Sequence, residues 1–331
     1  MLDKKQPADE ESENLFLFSR KTLPFECGIQ VAFARPVRRI LSVIILFLAA
    51  LFRSEAAPIT LAEIPFEYRE GLLWIQVNIS QSEKPLNFLL DTGAGVSAIN
   101  LNTAKRIGLR LGREVTVHGV GQVLTGYWQQ QFSVHASGVR LPSEYLAVDL
   151  ENLSTSCERP VDGLIGMDFF SGRSVQIDFE AQKIRLLKPQ KSDKSVSALP
   201  LDLRPCGMRV PITVNNHVRQ WVRLDTGCAT PLQWVTKEVA TNECSRQMAI
   251  GLAKISIPQT KTTVGFGGYE FENVPTGLHQ SAIFAGEAGL LGNGLLSRFS
   301  SITIDAKARR VVFGELRTGS GAEALTTKEK R

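Results

Sequence analysis

Three features of this sequence predict an all-β, two-lobed fold with pseudo-twofold symmetry. Short runs rich in Val, Ile, Phe and Trp are bounded by Gly, Asn, Pro and Ser, the pattern of strands and turns, and helical periodicity is scarce. Several sequence blocks occur twice in the same order, which points to a duplicated unit. Each copy also carries Asp-Thr-Gly at the end of an apolar strand, at 91–93 and again at 225–227.

The 331-residue chain is long enough for one large domain or two ordinary ones, and its 43% apolar residues supply a substantial core. The net charge of +5 is spread along the chain, with neither a long Lys/Arg run nor basic–aromatic interleaving, so no nucleic-acid partner is expected.

Residues 1–34 are polar and acidic at first, and read as a disordered extension or a misassigned start. Arg35, Arg38 and Arg39 then precede the apolar run Ile40–Phe52, and Ser54, Ala56, Ala57 and Pro58 follow it. A positive region, a short apolar region and a small-residue exit describe a secretory signal over 35–57, with cleavage expected near Ala57. A membrane span needs roughly 20 residues, so this run is short for one; an uncleaved anchor over 40–52 and a core helix are the alternatives. Either export route implies action in a periplasm, at a cell surface or outside the cell.

The first lobe is expected over 58–188, a polar linker over 189–198, the second lobe over 199–316 and a flexible tail over 317–331. The opening strands are Leu73-Trp74-Ile75-Gln76-Val77-Asn78-Ile79 and Val210-Pro211-Ile212-Thr213-Val214-Asn215. Phe88-Leu89-Leu90 leads into the first Asp-Thr-Gly, and Val222-Arg223-Leu224 leads into the second. Gly163-Leu164-Ile165-Gly166 with Val175-Gln176-Ile177-Asp178-Phe179 recurs as Gly289-Leu290-Leu291-Gly292 with Ser301-Ile302-Thr303-Ile304-Asp305, Asp178 and Asp305 holding matching positions. Further strands are expected at Trp128–His135, Tyr145–Val148, Ile184–Leu187 and Val311–Phe313. Short helical segments are expected at Ala98–Ile107, Pro231–Ala240 and Leu295–Phe299.

The chemistry lies in the two turns. Gly93 and Gly227 permit a tight turn and a close backbone approach that a Cβ would obstruct. Thr92 and Thr226 offer hydroxyls to a partner turn. If symmetry brings the turns together, Asp91 and Asp225 meet as a carboxylate pair that cannot doubly ionise cheaply and holds one proton between them. One member can then take a proton from water while the other hydrogen-bonds a scissile carbonyl. This chemistry calls for no metal and no cofactor.

These residues resemble the aspartic peptidases, nearest to bacterial retropepsin-like proteins with two lobes in one chain. The resemblance rests on Asp91-Thr92-Gly93-Ala94-Gly95, on Asp225-Thr226-Gly227, and on Leu164-Ile165-Gly166 and Leu290-Leu291-Gly292, and covers roughly 70–315. It implies a bilobal pepsin/retropepsin-like acid protease fold, a catalytic Asp91–Asp225 dyad supported by Thr92, Gly93, Thr226 and Gly227, an extended peptide or protein substrate, and a monomer that needs no second chain to complete its site. In that family the two carboxyls share one proton. The alternative is a non-catalytic peptide- or partner-binding protein on the same fold.

Weaker candidates complete the reading. His118-Gly119-Val120-Gly121-Gln122 is a candidate flap, with Tyr127 as a possible flap donor to the dyad; Val264-Gly265-Phe266-Gly267-Gly268 is a similar hairpin in the second half. Asp162 is expected to be structural, as are Asp178 and Asp305. Cys157, Cys206, Cys228 and Cys244 could form two disulfides of undetermined pairing or could be buried thiols. Cys228 replaces the usual small or hydroxyl residue after the second Asp-Thr-Gly, and is a candidate redox-sensitive position. His118, His135, His217 and His279 form no metal pattern.

Overall fold

The computed structural model describes residues 58–119, 122–129, 132–189, 198–237, 245–250, 253–317 and 327–329. The expected extension, the signal, most of the linker, Gly121 and Cys244 lie outside them. Among the described residues no helix is long and apolar enough to cross a membrane.

In the first half the site-bearing strands are β1 (Leu72–Ile79), β2 (Leu86–Leu90), β3 (Ala98–Asn100), β4 (Leu111–Gly119), β5 (Gln122–Gln129), β6 (Leu146–Val148) and β7 (Gly163–Ile165). They lie side by side in the order β4, β5, β6, β3, β7, β2, β1. In the second half they are β8 (Gly207–Val214), β9 (Gln220–Asp225), β10 (Leu232–Val235), β11 (Ser245–Ile250), β12 (Ala253–Phe266), β13 (Tyr269–His279) and β14 (Gly289–Gly292). Their order is β8, β9, β14, β10, β13, β12, β11. Read from opposite ends the two sheets are the same sheet, strand for strand. The duplication expected from the sequence therefore reaches topology as well as motif.

A six-stranded sheet joins the halves through Ser174–Asp178 and Ser301–Asp305, which pair antiparallel. Gln176 faces Thr303 at the centre of that pairing, and the flanking partners are Ser174 with Asp305 and Asp178 with Ser301. The first position of each copy thus pairs with the last of the other and only the central positions match, which places a local twofold axis at the Gln176–Thr303 pair. Asp178 and Asp305 accept the backbone N–H of Ala181 (2.7 Å) and Ala308 (3.0 Å), the turn role expected of them.

Alternation along the strands sorts side chains to opposite faces. Leu73, Ile75, Val77, Phe88 and Leu90 are buried in one large core with Val210, Ile212, Val214, Val222 and Leu224 of the second half. Trp74, Leu89, Ala98, Val148 and Leu164 turn to the other face and form a smaller apolar cluster.

Several expected elements differ. Ala98–Ile107 divides into β3 and the helix α1 (Leu101–Arg106), because Asn100 caps the helix by accepting the N–H of Asn102 at 3.0 Å. Pro231–Ala240 opens with the strand β10 rather than a helix, since Leu232–Val235 fill the slot between β13 and β14 that β3 fills in the first half. The helix expected at Leu295–Phe299 is observed as α2 (Asn293–Leu296), which begins two residues earlier, directly after Gly292; the equivalent segment after Gly166 in the first lobe, Met167–Phe170, is a 3-10 helix. Trp128–His135 is two strands, since β5 ends at Gln129 and a new one starts at Val134. The tail expected to be flexible includes a short strand, Thr327–Glu329, against Tyr269–Phe271.

Candidate active site

β2 and β9 end on the two aspartates. β7 runs parallel to β2 and β14 runs parallel to β9, so each Asp-Thr-Gly turn leaves its strand beside a Gly-Leu-Ile/Leu-Gly strand. Asp91 donates its N–H to the Ile165 carbonyl at 2.9 Å. A Cβ at Gly166 would lie 2.5 Å from the Val96 carbonyl carbon, and one at Gly292 would lie 2.2 Å from the Thr230 carbonyl oxygen. These glycines let the later strand pack directly against the turn.

The turns interlock reciprocally. The Thr92 N–H donates to Thr226 Oγ1 at 3.0 Å and the Thr226 N–H donates to Thr92 Oγ1 at 3.0 Å. Thr92 Oγ1 donates to the Leu224 carbonyl at 2.7 Å, and Thr226 Oγ1 to the Leu90 carbonyl at 2.8 Å. Both threonines are buried. Each glycine then faces the opposite carboxyl: a Cβ on Gly93 would sit 2.6 Å from Asp225 Cγ, and one on Gly227 would sit 2.5 Å from Asp91 Cγ. Only glycine allows the two carboxyls to approach across the axis, and they hydrogen-bond each other.

Their environments are unequal. Asp91 Oδ1 accepts the N–H of Gly93 (2.9 Å) and of Ala94 (3.1 Å), whereas Asp225 Oδ1 accepts that of Gly227 (2.9 Å). Burial raises the pKa of both. For Asp225 burial, with the Asp91 charge adding to it, pushes the value up to about 8. The pair accordingly keeps a proton, shared between two carboxyls that titrate as a unit.

The dyad forms the floor of a cavity of ≈ 510 Å³ that also meets Leu89, Val117, His118, Gly119 and Trp128. The hairpin of β4 and β5 overhangs it, so Gly119 reaches the cleft as the flap reading expects. Tyr127 does not. It pairs with Ala147 and packs on the main core, one residue out of phase with Trp128, which faces the cleft. In the second half the flap-like candidate 264–268 is the tight turn between β12 and β13, with Gly267 against Phe313. The topological counterpart of β4–β5 is instead the β11–β12 hairpin.

Cys157, Cys206 and Cys228 are unbridged. Cys228 is buried, its Sγ lies 3.1 Å from Thr230 Oγ1, and burial pushes its thiol up to about 12. A thiol so hard to ionise is a poor nucleophile, which argues against the redox role considered for it. Asp162 accepts Asn87 N–H, Thr103 Oγ1 and Arg106 Nη2 at 2.9, 2.7 and 2.8 Å, a scaffold role. His279 Nε2 contacts Gln233 Oε1 at 2.8 Å.

Sequence reasoning missed Arg223 and Glu287. Arg223 lies two residues before Asp225, where the first copy has Leu89, and is only 4% exposed. Its Nε and Nη2 donate to the Glu287 carboxylate at 2.7 and 2.8 Å, and its Nη1 donates to the Gly93 carbonyl at 2.6 Å. The signal was present: a charged residue inside an otherwise apolar strand that ends on a buried aspartate.

All-β lobes interlocked through paired Asp-Thr-Gly turns are the arrangement that the resemblance to the aspartic peptidases implies. The first-lobe sequence agrees, since residues 75–169 match the aspartyl protease family model. The chain is also 30% identical over 99 residues to the retrovirus-related Pol polyprotein from transposon 412 of Drosophila melanogaster, a match covering 30% of this chain and 8% of the polyprotein. Among solved structures it is similar to basic 7S globulin from soybean, at 12% identity and a TM-score of 0.48, over 78% of this chain and 95% of that one.

Proposed function

We propose that this protein is an aspartic endopeptidase in which Asp91 and Asp225 act as one general acid–base pair. The observation that carries this reading is the reciprocal approach of the two turns, each glycine giving way to the other lobe's carboxyl. In the singly protonated pair, the ionised member takes a proton from a water between the carboxyls. The protonated member donates a hydrogen bond to the scissile carbonyl oxygen. Hydroxide adds to the carbonyl carbon, the tetrahedral adduct collapses, and the leaving amine takes a proton from the pair. Thr92 and Thr226 hold the turns in register, and burial keeps the proton on the pair. The substrate is an extended peptide lying across the cleft, its main chain pairing with the overhanging hairpin. Residues 35–57 direct the lobes out of the cytoplasm; a mature N-terminus found near Ala57 would support that part of the reading.

The test is the pair of single substitutions Asp91→Asn and Asp225→Asn. Each is expected to lower peptide cleavage by about 10²–10⁴-fold, the usual worth of a positioned acid–base group, with the protein still folded by circular dichroism. Near-normal cleavage by either variant would remove the shared-pair mechanism.

A further inference from the structure

The duplication builds the same cross-sheet row of side chains twice, with different chemistry. In the first lobe the register sets Leu89 beside Leu164, Leu164 beside Ala98, Ala98 beside Leu146 and Leu146 beside Trp128. In the second it sets Arg223 beside Leu290, Leu290 beside Gln233, Gln233 beside Gly277 and Gly277 beside Gln259. Neighbours in register share a face of the sheet, so both rows lie on the cleft side of their lobes. All of the first row lines the ≈ 510 Å³ cavity; of the second row, only Arg223 does.

The second row is closed by its own side chains. Gly277 has no side chain, and Gln233 lies over it: a Cβ there would be 2.2 Å from Gln233 Oε1. Gln233 is fully buried, contacts His279 Nε2 at 2.8 Å and donates to Thr230 Oγ1 at 2.7 Å. In front of it the Arg223 guanidinium lies 3.5 Å from the centroid of the Phe284 ring. Two of its nitrogens are occupied by Glu287 and the third by the Gly93 carbonyl. Its charge is matched within the protein, so it offers a ligand neither an apolar slot nor an unpaired cation.

A peptide bond centred over the dyad sits on the axis that relates the lobes, and its two flanking side chains, pointing to opposite sides of an extended chain, fall to sites related by that axis. We propose that this cleft is one-sided: the first-lobe row accepts a large apolar side chain on one flank of the scissile bond, and the Arg223–Glu287 pair with Phe284 admits only small side chains on the other. The inference rests on the peptidase reading for the position of the bond, but not on turnover.

Two probes separate the ideas. In a peptide library varied at both flanking positions, Leu or Phe in place of Ala should raise kcat/KM about ten- to hundredfold on one flank and lower it on the other, the range a filled apolar pocket commands. Leu89→Ala should shrink the first preference. The double variant Arg223→Leu with Glu287→Leu, which leaves no buried charge unmatched, should let the second flank accept Leu. The same sequences carrying a reduced, uncleavable central amide should bind the wild-type protein with the same one-sided order. Cleavage with large apolar preference on both flanks overturns the inference and leaves the peptidase reading standing. One-sided binding of the reduced peptides without any cleavage of the parent peptides does the reverse. Neither binding nor cleavage overturns both.

Discussion

Thr92 and Thr226 each use one hydroxyl to accept a backbone N–H and to donate to a backbone carbonyl of the other lobe. Thr92→Val keeps the shape and removes both bonds. It leaves the buried Thr226 N–H without its partner, at a cost of about 1–3 kcal/mol, which should appear as a lower Tm; Thr92→Ser should recover most of it. The carboxyls act in the opposite sense. Asp225 has its folded-state pKa raised from 3.8 to about 8, mainly by burial and then by Asp91. A raised acid binds more protons folded than unfolded between those values, so stability falls as pH rises through that window and changes no further above it. Thermal melts of the wild type should therefore drop between pH 4 and 8, and Asp225→Asn should flatten the drop, gaining more at pH 8 than at pH 5. An unchanged pH dependence in that variant would mean the proton is not held at the pair. At this scale the sequence was informative where residue type is diagnostic. Asp-Thr-Gly occurring twice declared the turns, because only glycine tolerates the opposed carboxyl. Arg223 was passed over because its partner Glu287 is 64 residues away and nothing local links them.

β5 shows how strand phase decides which residue faces the cleft. Tyr127 and Trp128 are neighbours in sequence, yet the first pairs with Ala147 on the core face and the second with Leu146 on the cleft face. Tyr127→Phe should leave cleavage within about twofold, while Trp128→Ala should lower kcat/KM about tenfold, chiefly through KM, as expected for a lost apolar contact. Equal losses in steady-state assays of the two variants would mean that the hairpin is not in this register. The phase was not legible beforehand because the flanking turn residues could set it either way, and one residue of slip exchanges the faces. The same limit explains β10. Pro231-Leu232-Gln233-Trp234-Val235 has no clear period and reads equally as a helix start or a strand. Its place between β13 and β14 comes from partners more than 40 residues distant in sequence. The strands that lead into the Asp-Thr-Gly turns were legible because they are short, mainly apolar runs with fixed ends, Arg223 being the one charge before the second aspartate.

At the scale of the whole molecule, duplication puts everything that a two-chain site would need into one chain. The halves are joined by the interlocked threonines, by Arg223 on the Gly93 carbonyl, and by the Ser174–Asp178 pairing with Ser301–Asp305. The last is a backbone ladder at the axis, so each half supplies an edge that the other covers. Asn293 adds a further tie, donating to the Thr226 carbonyl at 2.6 Å and to the Gly71 carbonyl of the first lobe at 2.8 Å. With Asp91 and Asp225 already in contact inside one chain, assembly of the dyad involves no association step, and mass action has nothing to act on. Specific activity should therefore stay constant as the protein is diluted from micromolar to nanomolar concentration, with a sedimentation coefficient of one chain throughout. A site built from Asp91 of two chains would instead lose specific activity steeply on dilution, in proportion to the dimer that remains. The mixed experiment sharpens the choice. Asp91→Asn and Asp225→Asn proteins combined in equal amounts should remain inactive, because each chain carries its own defect on its own axis, whereas chains that exchange partners would regain part of their activity.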